Sequence, residues 1–256
     1  MTVRRFIYHP QLPGDAFFWE AGPVGVLLCH GFTATVQEVR PLAEVLHAHG
    51  YTVAAPLMPG HYTTPEDLNQ TSWLEWVQAG EEMYQRLKER CTTLVIGGES
   101  MGGLVALYLA SEHPEIAAIL AYAPALRLLL SKRDRLRLRL YSPFKAYIPK
   151  TMNDDGTPWQ GYSVVPLKGT LELIRFGQKV LPRLKQIYQP ILIVQGRYDA
   201  RVQPGVPELI AQQVNSTVKE VVWMENSSHV VVLDKEWQQV AGVTLDFLKR
   251  VLPSGK

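Results

Sequence analysis

The chain has almost no cysteine: two among 256 residues, Cys29 and Cys91. Two thiols cannot build the disulfide framework that staples small secreted domains. The strand reading below places them at opposite ends of a parallel sheet, roughly 20 Å apart at about 3.3 Å per residue. Free, mostly buried thiols are therefore expected. Also missing is any apolar run near the roughly 20 residues that cross a bilayer. Behind Met1-Thr2-Val3-Arg4-Arg5, the segment Phe6-Ile7-Tyr8 runs straight into His9-Pro10, too short for the apolar part of a signal peptide. A cytoplasmic protein, monomeric or weakly dimeric and without integral membrane association, is the expectation. Charge of one sign is lacking too. With 26 Lys and Arg against 24 Asp and Glu, a formal +2, nothing suggests a nucleic-acid partner. Repeats and low-complexity tracts are absent. What is present, 46% hydrophobic and 20% charged residues, suffices for one large core.

Apolar runs of strand length alternate with helical patterns. Val24–Cys29, Tyr51–Ala55, Leu94–Gly97, Ile116–Tyr122, Pro190–Gly196 and Val218–Met224 read as strands, and Arg4–Tyr8 as a possible edge strand. Continuous apolar runs suit parallel strands covered on both faces. Between them, 36–49, 73–90, 102–110, 206–213 and 236–251 carry helical spacing; Gly50 stops the first, and Thr71 or Ser72 can cap the second. Strands separated by helices imply an α/β fold with a doubly wound, mostly parallel sheet and helices on both faces. The rhythm breaks at Ala123-Pro124-Ala125. Residues 126–185, with a turn-like patch at 153–158, read as an insertion above the strand ends, where such folds hold ligands. The division is 1–125 core, 126–185 insertion, 186–256 core.

The strand at Leu94 leads into Gly98-Glu99-Ser100-Met101-Gly102-Gly103, a Gly-x-Ser-x-Gly turn between strand and helix. A side chain at either flanking glycine would collide with a neighbouring element, and the helix start aims its backbone donors at an oxyanion forming beside the serine. Alone, the turn could be a mere helix cap. A serine hydroxyl needs a histidine base held in one tautomer by a carboxylate. Two loops at the same sheet edge supply them, Gly196-Arg197-Tyr198-Asp199 and Asn226-Ser227-Ser228-His229, in the order Ser, acid, His. Asp234, the nearest rival acid, reads as a cap of the last helix. Phe32, after His30-Gly31, and Met101 are the expected oxyanion donors through their backbone N–H groups. His30 reads as a brace for that loop, His61 as a turn or pocket-rim residue. Glu99 points either into a polar niche behind the turn or toward the reacting groups, whose basicity its charge would raise.

With these residues placed, the chain resembles the α/β-hydrolase superfamily, and within it the small bacterial carboxylesterases and monoacylglycerol lipases. The resemblance rests on His30-Gly31-Phe32-Thr33, Pro59-Gly60-His61 with Thr64-Pro65-Glu66-Asp67-Leu68, the serine turn, Gly196–Asp199 and Asn226–His229. It implies a small cap over Ser100 made by residues 126–185. It departs at Tyr62, where a glycine-like residue is usual, leaving that ring to narrow the pocket mouth or to pack under the cap. It departs again at Glu99, where Leu or His is common. The expected activity is cofactor-free, metal-free hydrolysis of small to medium carboxylic esters. Monoacylglycerol or longer-chain lipase activity, and acyl transfer or perhydrolysis on the same scaffold, are the alternatives. Leucines of the insertion, among them Leu126, Leu136, Leu140, Leu167 and Leu173, suit a cover that packs onto the core and whose underside takes an acyl chain. Lys132, Arg133, Arg135, Arg137 and Arg139 read as a solvated face, with contact to an anionic lipid surface as the alternative.

Overall fold

The computed structural model describes residues 3–150 and 157–253, so most of the turn-like patch at 153–158 lies outside the described residues. Among the described residues the central sheet has seven strands, numbered here along the chain: β1 Phe17–Trp19, β2 Val24–Cys29, β3 Thr52–Ala55, β4 Thr93–Glu99, β5 Ala118–Tyr122, β6 Ile191–Gly196 and β7 Lys219–Met224. Their order across the sheet is β7-β6-β5-β4-β2-β3-β1. All pairs are parallel except β1 with β3, which is antiparallel. The antiparallel edge is therefore β1. Ile7–Tyr8, read as an edge strand of the sheet, instead follows a 3₁₀ turn and pairs with Gly161–Tyr162 of the insertion.

Both faces of the sheet are covered because its strands are apolar on both sides. In β2, Leu27 and Cys29 face one layer, with Trp76, Leu104, Leu107 and Ile210. Val26 and Leu28 face the other, with Leu42, Leu46, Phe247 and Leu248. The helix Met101–Glu112 is apolar around almost its whole circumference and is buried accordingly. The helical pattern at 36–49 is split, with a 3₁₀ turn at Val36–Glu38 and an α-helix only from Arg40 to Ala48. Pro41 explains the split, since it lacks an N–H and is tolerated only in a helix's first turn. Of the two candidate caps for Trp73–Lys88, Ser72 serves: its N–H and Oγ–H both donate to Glu75 Oε2 at 2.8 Å. Cys29 and Cys91 are both free and buried, and Cys91 Sγ packs beside Gly25 at the opposite end of β2.

The chain leaves β2 for β3 on one side and returns to β4 on the other, so the winding reverses between β2 and β4. Cys29 and Gly98 are paired across that point. The carboxyl ends of strands at such a reversal open a crevice between diverging loops. Here those loops are 30–33 and the serine turn. The insertion departs after β5 and returns to β6, its immediate neighbour in the sheet. Residues of the insertion contact the β2 loop directly: Tyr162 N–H donates to Thr33 O at 2.8 Å, and Gly169 packs on the Phe32 ring.

Candidate active site

Ser100 has φ 54° and ψ −107°, left-handed backbone that a serine adopts at a cost of about 1–3 kcal/mol. Its neighbours hold it there. Ser100 N–H donates to Tyr122 O at 2.8 Å, and Ser100 O accepts from Ala125 N–H at 3.0 Å. A Cβ on Gly98 would sit 2.5 Å from Gly102 O, and one on Gly102 would sit 2.0 Å from Cys29 O. The turn closes this tightly only with glycine on both flanks, as its spacing led one to expect. Thr33 in the β2 loop and Ala123, which follows Tyr122, also have positive φ.

Ser100, Asp199 and His229 come together. His229 Nε2 lies 2.9 Å from Ser100 Oγ, and its Nδ1 lies 2.8 Å from Asp199 Oδ2. A carboxylate can only accept, so Nδ1 carries the hydrogen and Nε2 offers its lone pair to the serine hydroxyl. Asp199 is further held by Gln195 Nε2 at 2.5 Å and by the Arg201 and Val202 N–H groups at 2.7 and 3.1 Å. Burial raises its carboxyl, but His229 and those two amides outweigh burial and leave its pKa below the ordinary value. Tyr198 N–H donates to Ser227 O, stitching the Asp199 and His229 loops together. Among the described residues Asp234 makes no hydrogen bond or ion pair to His229, and the cap of the last helix, which begins at Trp237, is Glu236. The Asp234 carboxylate takes the Ser228 N–H and Oγ–H, both at 2.6 Å, while Glu236 takes Asn226 N–H and Ser227 Oγ–H. Two acids thus fix the loop that presents His229.

The β2 loop is oriented peptide by peptide. His30 Nε2 accepts from Met58 N–H at 3.0 Å, which puts the ring hydrogen on Nδ1, where it donates to Gly31 O at 2.9 Å. Burial pulls the His30 pKa down to about 4, so it remains a neutral brace. Ala34 N–H also donates to Gly31 O. In a trans peptide the C=O and N–H point opposite ways, so a tethered Gly31 carbonyl sends the Phe32 N–H in the other direction. Gly31 itself lies against the nucleophile, its missing Cβ 3.3 Å from Ser100 Cβ. Among the described residues neither Phe32 N–H nor Met101 N–H donates a hydrogen bond. Both donors are thus left over at the serine turn.

Two further residues at the site, Glu38 and Gln195, escaped the sequence reading, and His61 takes the turn role rather than the pocket rim. Glu38, 3% exposed, accepts from Gly31 N–H at 2.5 Å and from Trp159 Nε1–H at 2.9 Å, so it fixes the first peptide of the β2 loop. Its partners are 7 and 121 residues away, a separation that leaves no local sequence signal. Gln195 supports Asp199 from within β6; a polar residue in an otherwise apolar strand was the available hint. His61 is buried, its Nδ1 on the Met58 and Pro59 carbonyls and its ring edge-on to His30 and Phe32. It packs beneath the β2 loop.

The two departures also find their places. Tyr62 has φ 58°, the backbone that glycine adopts freely, and its ring packs against the core. Glu99 is fully buried, with neither carboxyl oxygen hydrogen-bonded among the described residues. Burial drives its pKa well above the ordinary range, the Glu38 and Asp199 charges push the same way, and only the Val232 amide pulls back. Glu99 is therefore a neutral acid in a niche behind the turn.

A family model for the serine aminopeptidases S33 matches residues 24–236. The thermostable monoacylglycerol lipase of Bacillus sp. (strain H-257) is 37% identical over 248 residues, covering 94% of this chain and 97% of that one. A carboxylesterase of Bacillus subtilis (strain 168) is 29% identical over 243 residues, covering 92% and 96%. A solved structure from work on the metagenome-derived lipolytic enzymes LipS and LipT superposes with a TM-score of 0.88 at 34% identity, over 93% of this chain and 99% of that one. The monoacylglycerol lipase of Paleococcus ferrophilus, at 16% identity over 94% of this chain and all of its own, shares the fold with a TM-score of 0.78. Fold, serine turn and family model agree, and the chain belongs to the serine aminopeptidase S33 family of α/β-hydrolases.

Proposed function

We propose that the chain is a serine hydrolase of carboxylic esters with small to medium acyl groups. The observation that carries this reading is the unbroken line of hydrogen bonds from Ser100 through His229 to Asp199. Ser100 Oγ attacks the ester carbonyl while its proton passes to His229 Nε2, and Asp199 balances the imidazolium that forms. The tetrahedral oxyanion takes the Phe32 and Met101 N–H groups, each donor contributing about 2.7–4 kcal/mol. His229 returns the proton to the leaving alcohol. Water, deprotonated by the same ring, then releases the acid from Ser100. Every proton moves between groups of this chain and its substrate, so no step calls on a cofactor. In this reading residues 126–185 cap the site between the two stretches of core, 1–125 and 186–256.

The family description names aminopeptidases, and one feature favours esters. A free α-ammonium group would need a carboxylate facing the opening. The three carboxyls behind Ser100, those of Glu38, Glu99 and Asp199, are instead buried, and Glu38 and Asp199 are spent on internal bonds. Monoacylglycerols are a second reading, favoured by the Bacillus sp. relative. Turnover of p-nitrophenyl esters from acetyl to palmitoyl, beside monoacylglycerols and aminoacyl amides, separates the three. Ser100→Ala should cost on the order of 10⁴-fold or more in kcat and abolish labelling by a fluorophosphonate. Ester turnover surviving that substitution would overturn the reading.

A further inference from the structure

Charge on this chain is segregated in a way that its total conceals. Residues 126–150 hold eight of the 26 Lys and Arg and only one of the 24 acids, Asp134, a local +7 in a chain of +2. The rest of the chain is therefore at −5. The same segment gathers exposed apolar side chains. Of the ten large hydrophobic residues exposed among the described residues, six fall at 129–148, led by Phe144 at 90%, Leu140 and Tyr141 at 60% and Leu136 at 57%. The helix Lys132–Tyr141 buries none of its residues. At about 100° per residue, Leu136 and Leu140 share one face, with Lys132 and Arg139 on one flank and Arg133 and Arg137 on the other. This corrects the expectation that these leucines line the underside of a cover; the buried apolar residues Leu126, Leu167, Leu173 and Phe176 do the packing onto the core.

We infer that this face is a docking surface for an anionic lipid bilayer. Leucines and a phenylalanine left exposed among the described residues, edged by cations, match a headgroup layer above hydrocarbon: the cations meet phosphates while the apolar tips enter the acyl boundary. A merely solvated face would not need Phe144 almost fully exposed. Soluble polyanions would match the charge but leave the apolar tips without a partner. The segment is tied to the site at both ends. Ala125 N–H, just before it, donates to Ser100 O at 3.0 Å, and Lys150 Nζ donates to Thr33 Oγ1 at 3.2 Å, one residue beyond Phe32. Docking would set the opening of the site against the membrane that holds lipid esters.

The test uses the full chain and sedimentation with vesicles of phosphatidylcholine alone or mixed with phosphatidylglycerol. Binding to the mixed vesicles should exceed binding to neutral ones by about tenfold or more and should collapse in about 0.5 M salt. The pair K132E and R133E should weaken it by about tenfold or more. Both residues lie in the first helical turn, where acidic side chains favour the helix, so the loss would not come from unfolding. The triple variant L136S, L140S and F144S should also lose binding while keeping the melting temperature and the turnover of a water-soluble short ester. Equal binding to neutral vesicles, or indifference to either set of substitutions, overturns the inference. So does vesicle binding that heparin abolishes and the triple variant leaves intact, which would mark a polyanion face. The binding arm stands without the ester-hydrolase reading; only the turnover arm rests on it, so the two can fail separately.

Discussion

Glu99 makes a sharp test of the site's electrostatics. In the unfolded chain its carboxyl ionises near the ordinary value of 4.5, whereas burial between Glu38 and Asp199 keeps it protonated well above that. Between those two values the folded state holds a proton that the unfolded state has lost. Stability contributed by Glu99 is thus intact below pH 4.5 and falls as pH rises, by about 1.4 kcal/mol per pH unit, until folded Glu99 ionises too. Glu99→Gln keeps the shape and cannot ionise. Its stability relative to the parent should be constant below about pH 4.5 and should climb by about 1.4 kcal/mol per unit above it. For a chain of this size that is roughly 3–5 °C in melting temperature per pH unit. Any fixed penalty of the new amide shifts the whole difference curve and leaves its slope alone. Melting temperatures of both proteins, measured at half-unit steps of pH, give the curve directly. A difference flat across neutral pH, or one that grows toward acid, would show that Glu99 is ionised and paired in the fold and would refute the reasoning.

Two further substitutions probe how the site is held. Glu38→Ala strips the acceptor from Gly31 N–H and Trp159 Nε1–H, each unmet buried donor costing about 1–3 kcal/mol. Steady-state kinetics should show kcat down by about tenfold to 10³-fold with KM changed little, because in the proposed mechanism the displaced Phe32 donor serves the transition state; unchanged kcat would free Glu38 of that role. Gly102→Ala would force a methyl to within 2.0 Å of Cys29 O, part of the backbone. Loss of soluble protein, or a melting temperature lowered by about 10 °C or more, is expected, and a well-folded active variant would show that the turn can open.

The serine turn and the loops carrying Asp199 and His229 were readable because their constraints are local. Gly98 and Gly102 are where they are because of atoms within 3 Å, and apolar strands announce a buried parallel sheet. What stayed hidden depends on distant pairing. Three residues at Phe17–Trp19 are too few to show a period, and they become a strand only by lying against β3. Glu38 looks like a surface acid until Trp159 closes over it. The split of the first helix was a different case: Pro41 was in plain view, and the hydrophobic period merely outweighed it. In the insertion, composition marked a cover but could not say which leucines turn inward, since only contact with Trp73 and the helix Met101–Glu112 decides that.

The insertion leaves the sheet after Tyr122 and rejoins it at Ile191, and the strands on either side of that gap are hydrogen-bonded neighbours, Ile119 opposite Ile191 and Tyr122 opposite Val194. The excursion therefore opens and shuts like a parenthesis. Lengthening it at an exposed stretch such as 129–148 leaves the ladder of β5 and β6 in register, whereas the buried Leu173 and Phe176 tie the rest of the insertion to the core. Whatever is written into that single clause of sequence, the strands that carry Ser100 and Asp199 at their ends keep the same neighbours.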